Sequence, residues 1–539
     1  MAKNRFDTFG VMLDMSRNSV MKLSSLKEYM VYMKKMGYNA LFLYIEDTYE
    51  VDGEPYFGYM RGRYTKEEMK ELDAYGESLG IEVIPCMQTL AHIKEFLRWG
   101  KAPVDKDDVL LVGEERTYEL IDHMFSTLSE CFKTRRIHIG MDEAHSLGRG
   151  AYLDKHGYEP TPSIMKKHLA RVKEIAAKYG YENPMIWSDM FFRPWNNRKY
   201  YIGKCEMPKE YLDALPEGII PVYWDYYHYD FEIYDGMMYN HRQLDKNFWF
   251  AGGAWTWTGY MPHNDFTLET MLPAFEALKK YRVKNVMITL WGDDGGECSR
   301  YSVLPSLLYL AEVARGNTDE GKIKAKFKRI FGVEYDDFML LDQLDHVVGS
   351  GEGAEKMANP SKYALVSDTF YGFLDHSIEP NAAHRYIPLT EALASVAKKT
   401  RRFHPVFDTA AKLSSVLEIK YDLGLRLRAA YKAKDKDALL KLATEDYPTA
   451  IRRLNLFARA VEKQWLFENK PAGLEAIHLR HAAVRERLDY ARRTILSYLD
   501  GSLDTIAELD EGILPEEGYG VSTHYNNALA ALIIGKQTN

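Results

Sequence analysis

The chain has 539 residues, of which 46% are apolar and 27% charged, and Lys+Arg 70 against Asp+Glu 78 give a formal charge of −8. These are the proportions of a soluble globular protein, and they exclude a disordered, collagenous or disulfide-framework chain. So small and dispersed a charge also excludes a dedicated nucleic-acid binder, whose affinity rests on neutralising phosphates.

The four cysteines (Cys86, Cys131, Cys205, Cys298) form no C-x-x-C pair, which fits free thiols in a reducing compartment. The opening MAKNRFDTFG lacks the apolar core of a secretory signal, and no run approaches the ~20 apolar residues of a membrane span. The expected location is cytoplasmic, with neither membrane nor nucleic acid as partner.

Taken in chain order, residues 9–291 repeat an apolar run, an amphipathic helix and another apolar run. The runs are FGVMLDM (9–15), NALFLYI (39–45), IEVIPCMQ (81–88), RIHIG (136–140), PMIWSD (184–189), IIPVYW (219–224), FWFAGGA (248–254) and NVMITLW (285–291). Continuous apolar runs, as opposed to alternating ones, suit parallel strands buried on both faces. Ser25-x-x-Glu28 and Thr65-x-x-Glu68 read as helix capping boxes, and Gly37 and Gly80 as left-handed C-caps. Eight strands at a mean spacing of about 40 residues imply a (β/α)8 TIM barrel. The rival doubly wound sheet needs a G-x-G-x-x-G after its first strand, where this chain reads LDMSRNSV.

Beyond Leu310 strand-like runs give way to helical steps. Val416, Ile419, Leu423, Leu427 and Ala430 form one set, and Ile451, Leu454, Ala458, Val461 and Trp465 another. The expected fold class is therefore α/β, a barrel over 1–310 followed by an all-α domain over 311–539. That second domain includes an exposed loop, GSGEGAEK (349–356), and a C-terminal docking tail. Its apolar stripes leave room for a homodimer.

An α/β barrel carries its site at the C-terminal ends of its strands. Here those ends lead to Asp14 and Arg17, Glu46-Asp47, His92, Asp142-Glu143, Trp187 with Asp189, and Trp224-Asp225. The last two strands lead to Trp255 with Trp257, and to Trp291 with Asp293, Asp294 and Glu297. Carboxylates ringed by tryptophan suit a carbohydrate, with aromatic faces against sugar C–H surfaces and carboxyls on hydroxyls and the leaving oxygen. Two-carboxylate hydrolysis places its groups about 5–5.5 or 6.5–9.5 Å apart, normally from different strands. Adjacent Asp142-Glu143 suggests instead one proton donor and one residue steadying a group on the substrate.

GVMLDMSRN, His92 after strand three, HIGMDEAH and ITLWGDD together resemble the family 20 glycoside hydrolases, the β-N-acetylhexosaminidases, over roughly 1–310. The resemblance implies hydrolysis of oligosaccharides or glycosides with a terminal β-linked N-acetylhexosamine, without a cofactor, because the substrate's acetamido oxygen is the nucleophile. It implies Glu143 as general acid and then base, and Asp142 as the residue holding the acetamido N–H. Arg17 and Asp293 would bind outer hydroxyls, His92 would lie near the acid, and Trp187, Trp224 and Trp291 would wall the acetamido pocket. The family's tyrosine for the acetamido oxygen has no clear counterpart in AWTWTGY; Tyr226, Tyr227 and Tyr260 are candidates, Tyr227 foremost. Asp225 and Trp257 complete the expected substrate contacts.

Blander readings stand beside these. An isolated D-E pair is usually a solvated loop, and Arg17 or His92 alone could be a salt-bridge partner or a core histidine. Trp249 reads as core. DEAH mimics a helicase box, but no G-x-x-x-x-G-K-[ST] accompanies it. His138 and His145 lie too far apart in sequence for a metal motif. The alternatives are a retaining glycosidase pairing Glu143 with Asp225 or Glu297, and a non-catalytic sugar-binding barrel.

Overall fold

The computed structural model describes residues 5–347, 359–372, 375 and 378–513, so the expected loop 349–356 and the docking tail lie outside the described residues. Seven parallel strands lie side by side in the order Glu82–Cys86, Ala40–Tyr44, Thr8–Asp14, Asn285–Leu290, Trp249–Gly253, Ile220–Trp224, Met185–Trp187. The expected fourth strand, 136–140, is shorter than its sequence suggests. Its one bridge residue, His138, pairs in parallel with Cys86 on one side and Met185 on the other. Met87 donates to the His138 carbonyl, Ile139 to Met185 and Met185 to Ile137. The fourth stave thus closes the sheet into an eight-stave barrel. It ends early because the backbone turns left-handed at Gly140 and Met141, both at φ 72°. That turn throws the next two residues onto the rim.

Thr65 caps helix Lys66–Leu79 through the full reciprocal box, while Gly37 (φ 97°) and Gly80 (φ 66°) close the first two helices in the left-handed region. Ser25 does not cap. Helix Leu23–Met36 already begins two residues earlier, and the Ser25 hydroxyl donates to the Phe467 carbonyl at 3.2 Å. A distant segment fixes this entry: Met21 bridges Asn469, and the Lys22 N–H donates to the Glu468 carbonyl.

After the last barrel helix, Leu304–Val313, the described chain is helical. The steps from Val416 to Ala430 fall on two helices, His404–Lys420 and Leu423–Lys432. At the break, Asp422 precedes the second helix and accepts from Arg426 one turn into it. The steps from Ile451 to Trp465 fall on Tyr447–Glu468, which buries Leu454, Val461 and Trp465.

Two buried polar clusters fasten these helices to the barrel mouth. In one, Glu468 accepts from the Ser299 hydroxyl and the Arg300 N–H. The Arg300 guanidinium in turn donates to the Asp14 carbonyl and to the Ser19 hydroxyl at 2.8 Å. In the other, Glu297 receives both Lys362 and Arg480, and Arg480 also donates to the Asp294 carbonyl at 2.7 Å. No helix among the described residues is long and apolar enough to cross a membrane.

Candidate active site

The staves end in loops whose backbone is held in uncommon conformations. Asn18 (φ 74°), Glu46 (φ 32°), His92 (φ 57°), Met141 (φ 72°) and Glu143 (φ 51°) all lie in the left-handed region, one or two on each of the first four loops. Such residues cost about 1–3 kcal/mol each and persist only where the surroundings over-determine them. Here the surroundings are visible. Gln88, at the end of strand three, accepts the Met141 N–H at 2.9 Å and donates to Asp142 Oδ1 at 2.7 Å and to the Tyr44 hydroxyl at 2.8 Å. A Cβ on Gly140 would sit 1.9 Å from Gln88 Oε1, so only glycine permits this approach.

His92 Nε2 lies 3.2 Å from Asp142 Oδ2 and 3.8 Å from Glu143 Oε2. Burial alone would lower the imidazole, but Asp142 overrides it and raises His92 to about 10. Burial alone would likewise raise Asp142, yet His92, Gln88 and Arg17 hold it well below the ordinary carboxylate range. The pair is an imidazolium against a carboxylate at neutral pH.

The second oxygen of Glu143 turns to a different partner. Its Oε1 is 3.1 Å from the Arg193 guanidinium, whose Nε holds Asp189 Oδ2 at 2.9 Å, and Asp189 Oδ2 also accepts the Glu143 N–H at 3.1 Å. Burial and neighbouring Asp142 push Asp189 up to about 7.

Across the mouth, Arg17 reaches Glu46 at 3.2 Å, Asp14 at 3.4 Å and Asp293 at 3.8 Å, with its guanidinium 5.5 Å from the rings of both Tyr44 and Trp291. Burial raises Glu46 to about 7 despite Arg17. The aromatic expectations fall into one contiguous wall. Trp187 and Trp291 are 6.0 Å apart, the Trp291 indole N–H donates to the Tyr226 hydroxyl at 3.1 Å, and Tyr226 stacks on Trp224 at 5.5 Å. Trp257 meets Tyr226 edge-on at 5.4 Å and stacks on Trp255, which is core with its N–H on the Tyr226 carbonyl. Tyr227 is half-buried, and burial, with the charges of Asp293 and Glu143, raises its hydroxyl above the ordinary tyrosine value.

One expected contact is corrected. Asp225 is wholly buried, and its oxygens are taken by the Tyr223 hydroxyl (2.7 Å), His228 Nδ1 (2.9 Å) and the Tyr227 N–H (3.1 Å), so it anchors the sixth loop and does not face the pocket. Sequence reasoning missed Gln88, Tyr44 and Arg193. Gln88 closes a strand-end run, and Arg193 follows Asp189 at helical i,i+4 spacing, so both carried a readable signal.

Comparison with known proteins adds identity to this geometry. Residues 6–203 match the model of the glycosyl hydrolase family 20 catalytic domain, and 336–526 that of the Glycoside Hydrolase 20C C-terminal domain. The chain is similar to human hexosaminidase D, at 23% identity over 85% of this chain and 90% of that one. It is also similar to beta-hexosaminidase 3 of Arabidopsis thaliana, at 27% identity over 35% of this chain and 38% of the relative. Among solved structures, the GH20 exo β-N-acetylglucosaminidase of Vibrio harveyi aligns with a TM-score of 0.48 and 16% identity, over 63% of this chain and 59% of that one. With two models of one family matched, one on the barrel and one on the helices, the chain belongs to glycoside hydrolase family 20 and is a glycoside hydrolase.

Proposed function

We propose that the protein is an exo-β-N-acetylhexosaminidase that removes terminal β-linked GlcNAc or GalNAc, with the substrate's own 2-acetamido oxygen as nucleophile. That oxygen attacks C1 as the C1–O bond to the leaving group breaks, and Glu143 passes its proton to the departing oxygen. Glu143 then takes a proton from water as the water opens the oxazolinium ion. Asp142, held anionic by His92 and Gln88, accepts the acetamido N–H and offsets the positive charge. Arg17 and Asp293 take outer hydroxyls, Trp187, Trp224 and Trp291 enclose the acetamido group, and the Tyr227 hydroxyl donates to its oxygen.

The observation that carries this reading is the state of the two carboxylates that could have served Glu143 as a protein nucleophile. The side chains of Asp225 and Glu297 are both fully buried, one held by His228 and Tyr223, the other by Lys362 and Arg480. A nucleophile must reach the anomeric carbon, and neither is free to do so. We also assign catalysis to residues 1–310 and support to 311–539. A cytoplasmic location belongs to the same proposal, supported by four unpaired cysteines.

The test is release of p-nitrophenol from its β-GlcNAc, β-GalNAc and β-glucoside conjugates by the wild type, Glu143→Gln and Asp142→Asn. Turnover should be confined to the acetamido sugars. It should fall by roughly 10²–10⁴ in Glu143→Gln, the range for removing a general acid, and by less in Asp142→Asn. A thiazoline mimic of the oxazolinium should bind far more tightly than GlcNAc. Turnover of the glucoside would move the nucleophile onto the protein, and equal activity in all three proteins would end the assignment.

A further inference from the structure

The mouth of the site does not stop at Arg17 and His92. A cleft of about 390 Å³ runs outward from them, lined by Met60, Arg61, Lys94 and Arg98 on the barrel side and by Glu475 and Leu479 from the helix Leu474–Leu499. Met60 is 74% exposed and Leu479 70%, so two large apolar side chains face one cleft from opposite parts of the molecule. On the barrel side the apolar surface continues. Tyr59 precedes Met60 and Trp99 follows Arg98; the Trp99 ring lies 5.4 Å from Tyr59 and 5.5 Å from Tyr56, with the two tyrosines 5.9 Å apart. The tyrosines remain 38% and 41% exposed despite these contacts. Clustered exposed rings beside a cleft mark a binding surface more often than a core.

The platform is also fixed in place. Gly58 turns at φ +65°, where a Cβ would lie 2.2 Å from the Asp47 carbonyl; Arg61 is tied to Asp47 at 3.3 Å; and Gly62 sits against Ala472 and Lys470. Two cations lie over the rings, Lys101 Nζ 4.7 Å from the Tyr56 centroid and the Arg98 guanidinium 5.7 Å from that of Trp99. Exposed aromatic rings with hydrogen-bond donors beside them fit a pyranose, whose C–H face stacks while its hydroxyls accept from the donors.

We propose that Tyr56, Tyr59 and Trp99, with Met60 and Leu479, form an outer subsite that holds a second pyranose of the glycan outside the catalytic pocket. This rests on the hexosaminidase reading, and the test separates the two. For a β-1,4-linked N-acetylglucosamine trisaccharide, Tyr59→Ala and Trp99→Ala should raise KM roughly five- to tenfold, the scale of one lost aromatic contact. The methyl β-glycoside of GlcNAc, whose one-carbon aglycone cannot fill a second-sugar site, should keep its wild-type KM and kcat, and Trp99→Phe should restore most of the trisaccharide affinity. Equal losses on both substrates, or none on either, would overturn the subsite. Calorimetric binding of the trisaccharide to Glu143→Gln, with and without Tyr59→Ala, reads the platform without turnover. Wild-type inactivity on the p-nitrophenyl GlcNAc conjugate would sink the hexosaminidase reading, while unchanged calorimetric affinity on adding Tyr59→Ala would sink the subsite alone.

Discussion

The two sides of the barrel mouth are built differently. On the side of Asp142 and Glu143, the hydrogen bonds and ion pairs come from neighbouring barrel loops, Gln88 and His92 from the third and Asp189 and Arg193 from the fifth, while Arg17 acts on Asp142 through its charge. On the side of Arg17 and Asp293, the loops are held from far along the chain. Arg300 and Glu468 secure the loop after strand one, and Lys362 with Arg480 secures the loop after strand eight. The Asn18 side chain even donates to the Gly473 carbonyl at 2.8 Å. The proposed chemistry therefore sits on a half braced within the barrel, and the proposed recognition of outer hydroxyls on a half braced by the helical region.

The largest effect should come from breaking the long-range half at its buried ion cluster. Lys362→Met leaves Glu297 sharing one cation in a buried site, a change that typically costs about 3–5 kcal/mol. Urea unfolding should show that loss, and the double variant Glu297→Gln/Lys362→Met should recover part of it. Where the protein stays folded, KM should rise while kcat changes little, because the disturbed loop carries Asp293 and not the acid. A fall in kcat at constant KM would show that the two halves are not separable.

The half braced within the barrel has a sharper probe in His92. Its imidazolium, at about 10, lies above the ordinary histidine value. Its contribution to stability and to an ordered Asp142 is full below about pH 6.5 and is lost as the pH rises through about 10. Asp142, held low, contributes above about pH 4 and loses its contribution as the pH falls below that. Activity should therefore carry a second alkaline break, beyond the one the general acid itself imposes, and that second break should vanish in His92→Gln. The same variant should lower kcat by roughly 10- to 100-fold at pH 7, the value of one charge-assisted hydrogen bond of about 1.5–3 kcal/mol. An unchanged second break, with circular dichroism showing an intact fold, would remove His92 from the control of Asp142.

The same division separates what the sequence disclosed from what it withheld. Strand periodicity and the strand-end rule led to Asp14, Arg17, His92, Asp142, Glu143 and the tryptophans, because each is local to one strand and its loop. The rule failed at Asp225, which stands at a strand end but spends its oxygens on Tyr223 and His228 two and three residues away. A strand-end position fixes where a backbone stops, not where a carboxylate turns. Nothing local marks Glu468 or Lys362 as partners of the mouth. Their contacts span 168 residues from Glu468 to Arg300, and the pairing depends on how helices pack, which periodicity does not encode.

The smallest expected effects show the same contrast in a matched pair. Ser25 and Thr65 carry identical S/T-x-x-E signatures, yet only Thr65 caps its helix. Thr65→Ala should cost about 1 kcal/mol, the usual value of an N-cap, whatever happens to the helical region. Ser25→Ala removes the 3.2 Å bond to the Phe467 carbonyl and should cost about 0.5–1 kcal/mol. Because that bond joins the barrel to the helix Tyr447–Glu468, its cost should vanish in a background where Glu468→Gln has already loosened the same junction, whereas the Thr65 cost should persist. Additive losses for Ser25 and Glu468 in a double-mutant cycle would mean that the Ser25 hydroxyl acts on its own helix after all, and that the sequence signature had been right for a reason the hydrogen bonds do not show.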